Sequence, residues 1–380
     1  MESRGRRRFL GRASLAGASL ATAGAASPSR ADGPETARVN RLPRWRGFNL
    51  QYLYRLERGL TAPVEDHFRW IADWGFDFVR LPMTYWAWLK RKPAPGERLL
   101  REDVYDVDES ALALVDRAVE YGGRHGVHVC LCFHRAPGFR TGSFSDEPFN
   151  LWKDPEAAAA LAFHWELFAK RYRDVPASRL SFNLFNEAPW PKDYFNGAIY
   201  RKVVTPAVEA IRRTSPARIV IADGAGAGNL AVPELVPLGV EQSVHCYIPG
   251  SLSHYRVDWM RDREWPAPAW PAPADFDGYP WDRERLELFY SPWRTLIERG
   301  VGVHLGETGG SNRVPHPVLL AWLRDVLELF KDMGVGYALW DFIGESCFGI
   351  LDTGRADVAY EDWHGHRLDR KMLSMLQEIG

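Results

Sequence analysis

Two glutamates, Glu187 and Glu307, each stand just beyond a short apolar run. Glu187 sits in Phe185-Asn186-Glu187-Ala188-Pro189 and Glu307 in Gly306-Glu307-Thr308-Gly309. Paired carboxyl groups suit glycosidic-bond cleavage, where one protonates the leaving oxygen and the other attacks or stabilises an oxocarbenium-like carbon. Arg80 can pair with a carboxylate and lower its pKa, keeping it ionised as a nucleophile. Trp340 offers an aromatic face to a sugar ring. Taken singly, each residue has a plainer reading. Asn186-Glu187 is a turn before a proline, Gly306–Gly309 a glycine-rich turn, Arg80 a structural ion-pair partner, and strand histidines are core residues. The chemical reading depends on all of them meeting in one place.

The elements between these residues supply that place. From residue 45 onward, short β-branched or aromatic runs alternate with long amphipathic ones. The strand candidates are Trp45–Leu50, Phe76–Met83, Val127–Phe133, Arg179–Phe185, Arg218–Ala222, Ser243–Tyr247, Val301–Leu305 and Val335–Trp340. Leu161, Trp165, Phe168 and Tyr172 recur on one helical face, as do Leu319, Leu323, Val326 and Phe330. Asp154-Pro155-Glu156 reads as an N-cap, an N1 proline and a first-turn acid. Lys170, Arg171 and Arg173 favour the other end. Eight strands alternating with helices predict a single-domain α/β fold, a (β/α)8 TIM barrel over residues 32–380. The fifth helix is weak, because Gly224, Gly226, Gly228, Pro233 and Pro237 interrupt it. In such a barrel the active site lies at the carboxyl ends of the strands, where Arg80, His134, Asn186, Glu187, His245, Tyr247, Glu307 and Trp340 all fall.

With these residues in place, the chain resembles the cellulase-like family 5 of the glycoside hydrolases, from about Trp45 to Gly344. Arg46-Gly47-Phe48-Asn49 and Val79-Arg80-Leu81-Pro82 are similar to the family's first two strands. His134-Arg135-Ala136-Pro137-Gly138 resembles its third-strand motif, and Asn186-Glu187 its fourth-strand acid/base. His245-Cys246-Tyr247, Gly306-Glu307 and Trp340 resemble the sixth, nucleophile and last strands. The resemblance implies a retaining enzyme with Glu187 as acid/base and Glu307 as nucleophile. It also implies that Asn186 bonds the sugar 2-hydroxyl, His134 lines the cleaved sugar's site, His245 sits beside the acid/base, and Tyr247 bonds the nucleophile. It implies no metal or organic cofactor. One departure is Cys132, which stands where the family often has an acid.

The aromatics after the strands, Trp86, Trp88, Trp190, Trp265, Trp270, Tyr279 and Trp281, suit an extended, neutral β-linked oligo- or polysaccharide. An endo-β-1,4-glucanase is the favoured reading; the alternatives are a β-mannanase, a β-1,3-glucanase or β-glucosidase, and a catalytically silent carbohydrate-binding barrel. A silent relative would be expected to lose a catalytic carboxylate, and both are present. A metal-dependent hydrolase commonly has His-x-His after its first strand, where this chain reads Phe48-Asn49-Leu50. His364-Gly365-His366 lies past the last strand and reads as a loop.

Residues 1–31 open with Arg6-Arg7-Arg8-Phe9-Leu10 and continue into small apolar residues, resembling a twin-arginine export signal. A secreted or periplasmic protein is expected. This segment holds six arginines and one glutamate, so its removal takes the formal charge from −1 to −6. Such a surface would repel phosphate backbones, and no nucleic-acid partner is expected. No later apolar stretch approaches the roughly 20 residues of a membrane span. A monomer with four free thiols and no membrane partner is expected.

Overall fold

Short runs rich in apolar and β-branched residues lie side by side, all parallel, in the computed structural model. They are β1 (Arg46–Asn49), β2 (Phe78–Thr84), β3 (His128–Ala136), β4 (Leu180–Asn183), β5 (Ile219–Asp223), β6 (Glu241–Cys246), β7 (Val303–Thr308) and β8 (Gly336–Leu339). Each pairs with the next, β8 pairs with β1, and the ring is closed. The structure describes residues 39–380 except 57–58, 95, 144–145, 261–262 and 345–346. The export-signal reading of residues 1–31 lies outside the described residues.

Helices follow the strands: α1 (Glu65–Asp73), α2 (Ala113–His125), α3 (Pro155–Arg171), α4 (Gly197–Thr214), a single turn α5 (Gly250–Ser253), α6 (Arg283–Glu298), α7 (His316–Asp332) and α8 (Arg370–Glu378). The fold is the single-domain (β/α)8 barrel that the alternation predicts. After β5 the glycine- and proline-rich stretch forms only a 3-10 segment, Pro233–Leu238, in the place of a helix. Asp154 occupies the N-cap of α3, yet its carboxylate accepts from the Asn150 amide at 2.7 Å rather than from the helix. His364 and His366 lie in a two-stranded hairpin (Glu361–Trp363 with His366–Leu368) rather than a loop. There His364 stacks on Trp70 and His366 meets Asp352 at 2.6 Å.

The periodic apolar faces explain how the helices hold the strand ends. Leu161, Trp165 and Phe168 are fully buried. Trp165 stacks on Phe133 with centroids 4.0 Å apart and donates to the Leu184 carbonyl at 2.9 Å. It therefore grips the residues immediately before His134 and just before Asn186. Trp165→Ala should cost about 3–5 kcal/mol of stability, because it leaves both a cavity and an unpaired carbonyl. Denaturant midpoints of the two proteins check this.

Candidate active site

Arg80 sits mid-strand on β2, inside the barrel, and is buried to 1% exposure. A guanidinium carries five N–H donors and tolerates burial only if neighbours accept from them. Nε donates to Asn183 Oδ1 at 3.0 Å, and Nη1 to Asn49 Oδ1 at 3.1 Å and Glu307 Oε1 at 2.5 Å. Nη2 reaches Asn186 Oδ1 at 2.8 Å, Cys132 Sγ at 3.0 Å and Asp223 Oδ2 at 3.4 Å. Asn49 is the register partner of Arg80 across β1–β2.

Four of the buried charges alternate. Arg80 pairs with Glu307 and Asp223, and His245 faces the same two acids, Nε2 lying 3.2 Å from Asp223 and Nδ1 3.8 Å from Glu307. Burial alone would neutralise His245, but Glu307 and Asp223 outweigh it and push its pKa up to about 10. Burial would likewise raise Asp223, but His245 and Arg80 hold its carboxyl far below the usual range. For Glu307 the balance goes the other way. Burial raises its pKa, with Glu187 and Asp223 adding to the rise, and His245 and Arg80 only partly offset it. Arg80 does pair with a carboxylate and pull its pKa downward, as the sequence suggests, but at Glu307 burial outweighs it. Both Glu307 oxygens still accept hydrogen bonds, from Arg80 and from the Tyr247 hydroxyl at 3.1 Å, which favours the ionised form.

Glu187 approaches the pair from the end of β4. Its carboxyl oxygen lies 3.2 Å from His245 Nδ1, and donor atoms of Glu187, His245 and Glu307 all fall within 4.8 Å of one another. Its backbone has φ 51°, the left-handed region that a glutamate seldom adopts. The Glu187 amide donates to Asp223 Oδ2 at 2.9 Å, which fastens that conformation. Register shifts at Val244/His245 and between Leu305 and Thr308 re-aim the ends of β6 and β7 and bring His245 opposite Glu307. Gly306 permits the close approach, since a Cβ there would lie 2.2 Å from Ser243 Oγ. Gly228, at φ +81°, lies over His245 where a Cβ would meet its ring at 2.6 Å.

His134 is 8% exposed, edge-on to Tyr54 and stacked on Trp340 at 5.3 Å. Burial and the charges of Arg80 and His245 hold it neutral. Trp340 is also only 8% exposed, and forms a wall of the site rather than an open platform. A cavity of about 510 Å³ opens above them, lined among others by Trp86, Thr141, Glu187 and Trp259. A second hollow of about 260 Å³, also bordered by Glu187, is lined by Trp190 and Tyr194. The eight sequence candidates thus all meet at one end of the barrel. Asn49, Asn183, Asp223, Cys132, Thr141 and Trp259 join them without having been singled out as site residues.

The aromatics divide. Trp88 and Trp281 are buried scaffold, and Trp270 donates to Asp325 at 2.7 Å. Trp265 packs edge-on against Tyr255 and Phe276, and Tyr279 is exposed. Trp86 and Trp190 flank the site, though Arg135 covers one face of Trp86 at 3.7 Å. All four cysteines are unpaired, three of them buried.

Among the described residues, Glu187, His245 and Glu307 are the one set with donors spaced to hold a metal ion. Both ring nitrogens of His245 face carboxylates.

A model of the cellulase family, glycosyl hydrolase family 5, matches residues 31–346. A solved glycoside hydrolase structure is 36% identical, with a TM-score of 0.81, covering 88% of this chain and 99% of that one. Endoglucanase C of Acetivibrio thermocellus is 24% identical over 83% of this chain and 94% of its own length. Cellodextrinase A of Ruminococcus flavefaciens is 24% identical over 76% and 81%.

The His245 pKa stands near 10 in the fold against 6.5 ordinarily. Its proton therefore adds stability that is complete below pH 6.5 and is lost as pH rises towards about 10. Urea midpoints should fall across that interval, and fall less in His245→Gln. Midpoints that stay level in the unsubstituted protein would show that the imidazole is neutral.

Proposed function

Because this chain belongs to the cellulase family, glycosyl hydrolase family 5, we propose that it is an endo-β-1,4-glucanase working through Glu187 and Glu307. As a member it is a retaining glycoside hydrolase. The observation that carries the residue assignment is the close approach of the two carboxyl groups, within 4.8 Å. Retaining enzymes hold them about 5–5.5 Å apart, whereas inverting ones leave about 6.5–9.5 Å for a water. Glu187, protonated, donates to the leaving oxygen while Glu307 forms the glycosyl ester; deprotonated Glu187 then activates water. Both Glu307 oxygens accept hydrogen bonds, from Arg80 and the Tyr247 hydroxyl, which favours the carboxylate form that a nucleophile needs.

Attack within a chain, rather than at its end, is supported by two separate hollows that both border Glu187. The names of the two curated relatives point to a β-glucan. Export through the twin-arginine route, to the periplasm or beyond, is part of the same proposal and rests on the pattern at Arg6–Leu10 alone.

Reducing-end release on soluble cellulose, mannan, xylan and β-1,3-glucan tests the substrate. Cellulose should be cleaved fastest, with a drop in viscosity that precedes most of the sugar release. Glu187→Gln and Glu307→Gln should each lose at least about 10³-fold, roughly 4 kcal/mol of barrier. Proton NMR early in the reaction should show the β-anomer; the α-anomer first would contradict the two-step route.

A further inference from the structure

Asp223 closes β5 in a position where Asp-Gly reads as an ordinary turn, yet it is completely buried and surrounded by donors. Its Oδ1 accepts from Asn183 Nδ2 at 2.9 Å. Its Oδ2 receives the Glu187 amide at 2.9 Å, with His245 Nε2 at 3.2 Å and Arg80 Nη2 at 3.4 Å. Tyr200 fixes its backbone by donating to the carbonyl at 2.8 Å. Distances decide whom it serves. Arg80 has a much closer anion in Glu307, at 2.5 Å, so Asp223 is not its main partner. His245 has no closer anion on that side of its ring, since Glu307 is 3.8 Å from the opposite nitrogen.

We infer that Asp223 is a positioning residue: its carboxylate holds His245 as an imidazolium by ion pairing, and through that ring and the Glu187 amide it aims the acid/base carboxyl. The inference rests on the reading of Glu187 as the acid. A protonated His245 is ion-paired with Asp223 through Nε2, 3.2 Å away, and donates to Glu187 Oε1 from Nδ1, leaving the proton of Glu187 free for the leaving oxygen. A neutral ring has one acceptor nitrogen. With Nε2–H still directed at residue 223, Nδ1 takes the proton of Glu187 and diverts it from the substrate.

The titratable and charged groups facing Asp223 come from every strand around it. They are Arg80 on β2, Cys130, Cys132 and His134 on β3, and Tyr200 on α4. His245 on β6 and Glu307 on β7 complete the shell, with Glu187 above. Tyr247 and His254 face Glu187 from the β6 side. Only Arg80 and His245 are cationic, and without Asp223 the single anion Glu307 would have to serve both.

Nitrogen-15 NMR of the imidazoles in the unsubstituted protein, with His245→Asn for assignment, tests the first half. His245 should be an imidazolium at pH 7 and 8; a neutral ring there overturns the proposal, and needs no Asp223 variant to fold. Asp223→Asn tests the second half. Its His245 should titrate between about pH 5 and 8, and the alkaline limb of kcat should move about one unit or more to lower pH. KM should stay within about threefold, and dinitrophenyl β-cellobioside, whose leaving group needs little acid help, should lose far less rate than cellulose. A variant slowed equally at every pH and on both substrates would reduce Asp223 to a structural residue and overturn the assignment. Full activity of Glu187→Gln on cellulose would overturn the acid/base reading itself, whatever the imidazole shows.

Discussion

Everything at the mouth of this barrel answers to one constraint, a guanidinium that has no water. Arg80 is enclosed by acceptors drawn from β1, β3, β4, β5 and β7 and from Asn186 beyond β4. Leaving even one such charge unmatched in a low-dielectric interior costs several kcal/mol. The strands must therefore meet in a register that delivers Asn49, Asn183 and Asp223 together. That register is also the one that delivers Glu307. The same contacts that make the arginine tolerable inside the barrel locate Glu307, the proposed nucleophile.

Most of the fold was legible because it depends on local pattern. Alternating apolar runs and helical periodicity depend on neighbours in sequence, and all eight strands lie where those patterns place them. The failures lie where a pattern does not report which partner a residue takes. The strand read as Val301–Leu305 runs from Val303 to Thr308, so Glu307 is inside it; a bulge shows only against the adjacent strand. Asp154 stands at a helix N-cap yet binds a preceding turn, which no spacing rule distinguishes from a true cap.

The site was legible in its list of members and only partly in its wiring. Arg80, Glu187 and Glu307 stood out as charges beside strand ends. Asp223 did not, since an acid before glycine at the end of a strand has an ordinary explanation, and its burial follows from four strands at once. The tryptophans were ambiguous for the same reason. Trp88 and Trp86 are two residues apart, but one fills the core and the other faces the cleft. Trp259, in the long segment after β6, reaches the cavity wall, whereas Trp270 and Trp281 of that segment pack against the scaffold.

The left-handed backbone of Glu187 sets stability against function at a single residue. A side chain with a Cβ in that region costs on the order of 1–2 kcal/mol relative to glycine, and asparagine accepts it better than glutamate. Either replacement would relax the turn while removing the proposed acid. Folding alone gives no reason for glutamate here. Its presence, fastened through its amide to a buried carboxylate, is what the proposed acid role would require.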